Sequence, residues 1–102
     1  MYYIYMIRCR DNSLYTGITT DIERRFNEHL QKDIKGAKYT KGHDALKIEA
    51  IWKTNTRSDA SKLEYSIKKL IKQQKEELII YNDKFKIFFN DKVECEKYIR
   101  HI

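Results

Sequence analysis

Proline is absent from this 102-residue chain, glycine occurs three times and cysteine twice. With no proline, no internal repeat and no low-complexity tract, nothing marks a boundary between two domains, and the length fits a single core. Cys9 and Cys95 stand near opposite ends and form no Cys-x-x-Cys pair, which removes support for a zinc site or a disulfide framework. Two reduced, buried thiols are the expectation. No apolar run approaches the roughly 18 to 20 residues of a membrane span, and no basic-then-apolar leader precedes the first structured segment. The reading is a cytoplasmic protein without a membrane partner.

What is present supports a folded, basic domain. Hydrophobic residues make up 41% and aromatic residues 13%, enough to fill a core despite 35% charge. Twenty-one Lys and Arg against fifteen Asp and Glu give a net charge of +6, which favours a polyanion such as nucleic acid. An A/T-rich genome would produce the same richness in Lys, Ile, Asn and Tyr without any functional demand, so charge alone does not decide.

Tyr2 to Ile7 is apolar or aromatic on both alternating faces, as in a strand covered on two sides. Arg10-Asp11-Asn12-Ser13 is a cluster of turn formers, and Leu14 to Ile18 completes an expected hairpin. Thr20-Asp21-Ile22-Glu23 has capping-box spacing for a helix running to about Gln31. Asp33 to Asp44, with Gly36, Gly42 and several lysines, reads as a basic loop before a third strand, Leu46 to Trp52. Ser58-Asp59 would cap a second helix with apolar positions Leu63, Ile67, Leu70 and Ile71, continuing through Lys72 to Leu78. Phe85 to Phe89 is a short apolar stretch, and Asp91-Lys92-Val93-Glu94 offers capping-box spacing for a last helix.

Three side-chain groups stand out. The hairpin would bring Tyr5 and Tyr15 together, although paired strand tyrosines are most often packing. Arg25 and His29 sit four apart on the first helix, bordering an apolar stripe of Ile22, Phe26 and Leu30. Each taken singly is ordinary for a helix edge. Glu64 falls on the face of Ala60, Leu63, Ile67 and Ile71, where a carboxylate must be paired, protonated or bound to a cation. A structural Lys or Arg partner satisfies that requirement as well as a metal does.

In order and spacing these residues resemble the GIY-YIG nuclease superfamily. Tyr3-Ile4-Tyr5 stands for the first named motif and Tyr15-Thr16-Gly17 for the second, with nine residues between the two motif tyrosines, Tyr5 and Tyr15. Asp21 to His29 looks like the next segment, with Arg25 as its functional arginine, and Glu64 matches the metal-binding glutamate. Gly36 to Gly42 resembles the loop of small stand-alone bacterial members related to the Slx-type endonuclease domain. The resemblance spans roughly residues 2 to 75. Tyr3 replaces the eponymous glycine and Thr16 the central isoleucine, changes that extended strands tolerate.

The resemblance implies an α+β fold, a small antiparallel three-stranded sheet flanked by helices. Residues 1–80 would form the nuclease domain and residues 81–102 a C-terminal extension packed on it. It implies a metal-dependent endonuclease hydrolysing phosphodiester bonds in DNA, structure-specific in repair or recombination, with Mg2+ or alternatively Mn2+ on Glu64. Arg25 would hold the phosphate oxygens, Tyr15 would orient water or phosphate, and His29 would share the proton transfer or set the pH optimum. Tyr5 would be the general base, its ordinary value near ~10 lowered by nearby cations. Lys35, Lys38, Tyr39 and Lys41 would contact nucleic acid by phosphate pairing and base stacking. A protein partner would supply specificity that the short chain lacks. Two other readings stay open: a non-catalytic nucleic-acid-binding module whose tyrosines stack bases, and a protein-interaction adaptor docking through Phe85 to Phe89.

Overall fold

The computed structural model describes residues 1–31 and 42–102. Among the described residues the elements run β1 (Tyr2–Cys9), β2 (Leu14–Thr19), α1 (Ile22–Leu30), β3 (Ala45–Thr54), α2 (Arg57–Lys68), α3 (Lys72–Ile80), α4 (Lys84–Phe89) and β4 (Ile99–Arg100), with a 3-10 turn at Cys95–Lys97 before β4. The strands form one antiparallel sheet in the order β2-β1-β3-β4.

The β1–β2 hairpin turns where its composition demands. Asn12 adopts φ 71°, a left-handed conformation that its short amide side chain tolerates. The Asp11 carboxylate accepts from the Ser13 amide at 3.1 Å and from the Ser13 hydroxyl at 2.6 Å, tightening the turn.

Because strand side chains alternate, the sheet separates the apolar residues into two clusters. Ile4 and Met6 of β1, with Ala50 and Trp52 of β3, face α2, α3 and α4 through Ala60, Leu63, Ile67, Leu78, Phe85 and Phe89. Tyr5, Ile7 and Cys9, with Ala45 and Ile51, face the other way and pack with Tyr3, Tyr15 and two residues of α1, Ile22 and Phe26. The site residues of β1 and β2 therefore lie on the α1 side of the sheet.

Several sequence-based expectations are corrected. The sheet has four strands, not three: β4 pairs Lys53 with Ile99 and Trp52 with Arg100, a segment too short to carry a readable period. The cap of α1 is Asp21 rather than Thr20, its carboxylate accepting from the Arg24 amide at 3.1 Å; the Thr19 hydroxyl meanwhile accepts from the Asp21 amide. Likewise Thr56, not Ser58-Asp59, caps α2, accepting from the Asp59 amide at 3.1 Å. Capping needs an acceptor beside extended backbone, and neighbouring polar residues compete for that role.

The long second helix is two. The chain leaves helical geometry after Lys68, and the Gln74 side chain accepts from the Ile71 amide as α3 begins. Ile71 is consequently 63% exposed, off the buried face where periodicity puts it. The change of direction buries Leu78 and brings Glu76 to Arg8 in a bidentate pair with both contacts at 2.5 Å. No last helix starts at Asp91; the amides of Lys92 and Val93 turn back onto the Phe89 carbonyl, and the chain continues to β4. Phe85 and Phe89 are core residues beside Trp52 and Tyr98, whereas Ile87, between them, is exposed, so the stretch thought to offer a docking patch is divided between core and surface.

Candidate active site

The α1 face of the hairpin gathers four of the five residues singled out for catalysis. Tyr5 lies opposite Gly17 and Tyr15 opposite Ile7, which sets the two phenols diagonally with ring centroids 6.3 Å apart. His29 arrives from α1, its ring 5.8 Å from Tyr5 and 5.3 Å from Tyr15. The Tyr5 hydroxyl and His29 Nε2 are hydrogen-bonded at 3.0 Å. His29 is 0% exposed, so it occupies the middle of the buried face of α1, whereas the sequence put it on the border. Leu30, expected in the apolar stripe, is largely exposed instead.

Arg25, one turn earlier on α1, lies close enough to Tyr5 to interact with its hydroxyl, and its Nη1 pairs with Glu28 at 3.0 Å. Burial works against the Arg25 charge, but the interactions with Glu28 and Tyr5 outweigh it, so the guanidinium stays firmly protonated. Glu28 is the residue that the sequence reading missed. Its only signal is the three-residue spacing from Arg25, which many solvated helix pairs share.

Protonation of the pair departs from expectation. Arg25 does favour the Tyr5 phenolate, but burial is larger and pushes Tyr5 up to about 12. His29 is held down at about 4, first by burial and then by repulsion from Arg25. At neutral pH the phenol and the imidazole are therefore both neutral, and with the imidazole proton on Nδ1 the hydroxyl donates to Nε2. With Arg25 as the neighbouring cation, Tyr5 keeps its proton, hydrogen-bonded to His29 and beside the guanidinium.

Gly17 makes room for the Tyr5 ring by having no side chain. A Cβ there would lie 2.5 Å from Tyr5 Oη and 2.7 Å from Cζ, inside contact distance of a buried ring. Gly17→Ala is expected to cost about 1 to 3 kcal/mol through overpacking, read as a lower urea midpoint at unchanged slope.

His29 also makes stability depend on pH. Its folded value lies below the ordinary 6.5, so below pH 6.5 the unfolded chain binds a proton that the folded chain refuses. Stability is full above pH 6.5 and falls progressively down to about pH 4, by on the order of 3 kcal/mol. His29→Gln should flatten that part of the profile in urea titrations at pH 7, 6 and 5, and an unchanged slope would show that His29 is not the group responsible.

Glu64, on α2, is half-buried and close enough to influence Tyr5 electrostatically. Its expected need for a partner is met by Lys68, one turn on, at 3.5 Å. That pair is partly solvated and weak, so the carboxylate remains available to a cation. Among the described residues no group of three or more His, Cys, Asp and Glu side chains could enclose a metal. A single carboxylate does fit an ion that keeps most of its shell as water and substrate oxygens, as Mg2+ commonly does. Lys35, Lys38, Tyr39 and Lys41 lie outside the described residues. No described helix is long and apolar enough to cross a membrane.

Comparison with known proteins returns the same grouping. The sequence pattern of the GIY-YIG catalytic domain matches residues 1–77. A UPF0213 protein of Fusobacterium nucleatum is 50% identical over 84 residues, 82% of either chain. The UPF0213 protein YhbQ of Salmonella typhimurium is 44% identical over 84 residues, again 82% of either chain. The solution NMR structure of a UPF0213 protein from Bacillus halodurans is 40% identical, covers 78% of this chain and 84% of its own, and superposes with a TM-score of 0.50.

Proposed function

The chain belongs to the GIY-YIG catalytic-domain family, and from that premise we propose that it is a metal-dependent endonuclease hydrolysing phosphodiester bonds in DNA. The observation that supports this reading is the cluster of Arg25, Tyr5 and His29, in which one phenol is hydrogen-bonded to an imidazole and lies beside a guanidinium.

Glu64 would hold the divalent ion, Mg2+ or Mn2+, which when bound supplies charge neutralisation for the phosphate and its leaving 3′ oxygen. Arg25 binds the non-bridging oxygens, its planar fork matching their geometry. Water attacks phosphorus with Tyr5 Oη as its hydrogen-bond partner. The water proton passes to the Tyr5 oxygen as the Tyr5 proton passes to His29 Nε2, and the P–O3′ bond breaks. The departing oxygen takes a proton from solvent, and His29 later returns its own. Tyr15, in ring contact with Tyr5 and His29, orients the water or phosphate.

Arg25 couples binding to chemistry. In the free protein its charge helps keep His29 from accepting a proton. A phosphate dianion or diester on the guanidinium cancels part of that repulsion, so His29 becomes a better acceptor when substrate is bound. The base is thus strengthened where and when it is used.

Repair or recombination, a cytoplasmic location suited to two free thiols, and a protein partner that supplies specificity complete the proposal. The test is a panel of labelled single-stranded, duplex, flap and branched DNA, with an RNA control, incubated with Mg2+, Mn2+ or chelator. Cleavage of DNA that stops with chelator is the expected result. Substrates that are retarded in a gel yet remain intact in both metals would replace the enzyme with a non-catalytic binding module.

A further inference from the structure

The last strand adds side chains to the site face. His101 follows β4, and its amide donates to the Ile51 carbonyl at 2.7 Å, directly across β3 from Tyr5, which pairs with Ile51. The His101 ring meets Tyr3 with centroids 5.7 Å apart and planes at 58°. Lys53 lies between them in register, paired with Tyr3 on one side and Ile99 on the other. Opposed residues of an antiparallel sheet share a face, so Tyr3, Lys53, Ile99 and His101 all continue the surface that carries Tyr5.

This surface is open and uncommitted. His101 and Ile99 are exposed, and Tyr3 and Lys53 are half-buried. Among the described residues the side chains of Tyr3, Lys53 and His101 form no hydrogen bond or ion pair. A tyrosine and a histidine in contact, beside a lysine without a carboxylate, give two ring faces and a cation. Tyr3 lies within the matched span 1–77, and His101, beyond that span, supplies the partner of its ring.

We propose that Tyr3, Lys53 and His101 form a subsite for an unpaired nucleotide flanking the cut phosphodiester, so that the preferred substrate has a single-stranded segment beside the scissile bond. The proposal rests on the nuclease reading and adds a substrate class to it. Tyr3 and Tyr5 are two residues apart on β1, about 7 Å, a spacing of one to two nucleotides along a strand. Two rings meeting at an angle let a base stack on one and present its edge to the other, while Lys53 takes the adjoining phosphate. A base inside a duplex already stacks on its neighbours and gains little from such a corner; an unpaired base gains the full contact.

The experiment measures binding, in chelator, of labelled single-stranded DNA trimmed one nucleotide at a time from either end, to wild type, His101→Ala and His101→Trp. Trimming past the subsite should weaken wild-type binding about 5- to 150-fold, the size expected for one stacked base. His101→Ala should show that loss with long DNA and no further loss with trimmed DNA, and His101→Trp should restore it. A His101→Ala defect equal at every length, or no defect at any, overturns the subsite. In the first case the residue acts only on structure. If the wild type cuts DNA in the panel while His101→Ala binds every length normally, the subsite fails and the nuclease stands; a wild type that neither cuts nor binds removes both.

Discussion

Replacing Tyr5 by phenylalanine lowers single-turnover cleavage about 10²- to 10⁴-fold, the range for removing a positioned proton-transfer group. The substitution keeps the ring that fills the space beside Gly17 and removes only the oxygen that is hydrogen-bonded to His29 and lies beside Arg25. Binding should change little, because Arg25 retains Glu28 and its access to phosphate. The fold should lose about 1 to 3 kcal/mol, since a buried imidazole nitrogen is left without its donor. The two effects separate under saturating protein, where a purely structural loss disappears from the rate of bound substrate and a proton-transfer loss persists. A Tyr5→Phe rate within about threefold of wild type would sink the relay.

The second large effect lies far from the site. Phe89→Ala is expected to cost about 3 to 5 kcal/mol, a large share of the ~5 to 15 kcal/mol that holds a small domain together. Phe89 is 1% exposed, and its ring packs against Phe85 at 5.1 Å and Phe88 at 6.3 Å. Ile87, two residues earlier and exposed, serves as the control: Ile87→Ala should stay within about 0.5 kcal/mol. Urea unfolding of the two variants side by side distinguishes a core contribution from a general effect of trimming this segment. Equal, small losses would mean that the C-terminal segment is carried by the domain without supporting it.

What could be read from the sequence was set by short-range rules. The hairpin announced itself through Asp11, Asn12 and Ser13 at the turn, and α1 through the helical spacing of Ile22 and Phe26. The proximity of Tyr5 to Tyr15 followed from the hairpin, and that of Arg25 to His29 from one helical turn. What escaped depended on tertiary contacts. Whether α2 ran straight into α3 was decided by the burial of Leu78 and the pull of Arg8 on Glu76, neither visible in a periodic pattern. β4 is two residues long and exists because β3 offers it an edge.

The site shows the same division. Residue types and order indicated which groups would act, whereas their protonation depended on how deeply the fold buries them. Arg25, the metal and Lys41 were expected to lower the Tyr5 value together; burial outweighs the Arg25 part of that effect. His29 was read as a helix-edge residue and is fully enclosed. Glu64 was read as needing a partner, and Lys68 supplies a weak one that a cation can replace.

The most direct test of the metal-dependent nuclease is single-turnover cleavage by Glu64→Gln, measured beside wild type in Mg2+ and in chelator on whichever DNA the wild type cuts. Glutamine keeps the size and hydrogen-bonding capacity of the side chain and removes the charge that would hold the ion. The account predicts that Glu64→Gln binds DNA as wild type does in chelator, yet cuts no faster in Mg2+ than wild type does without metal. Undiminished, Mg2+-dependent cleavage by Glu64→Gln would contradict it and place the metal elsewhere.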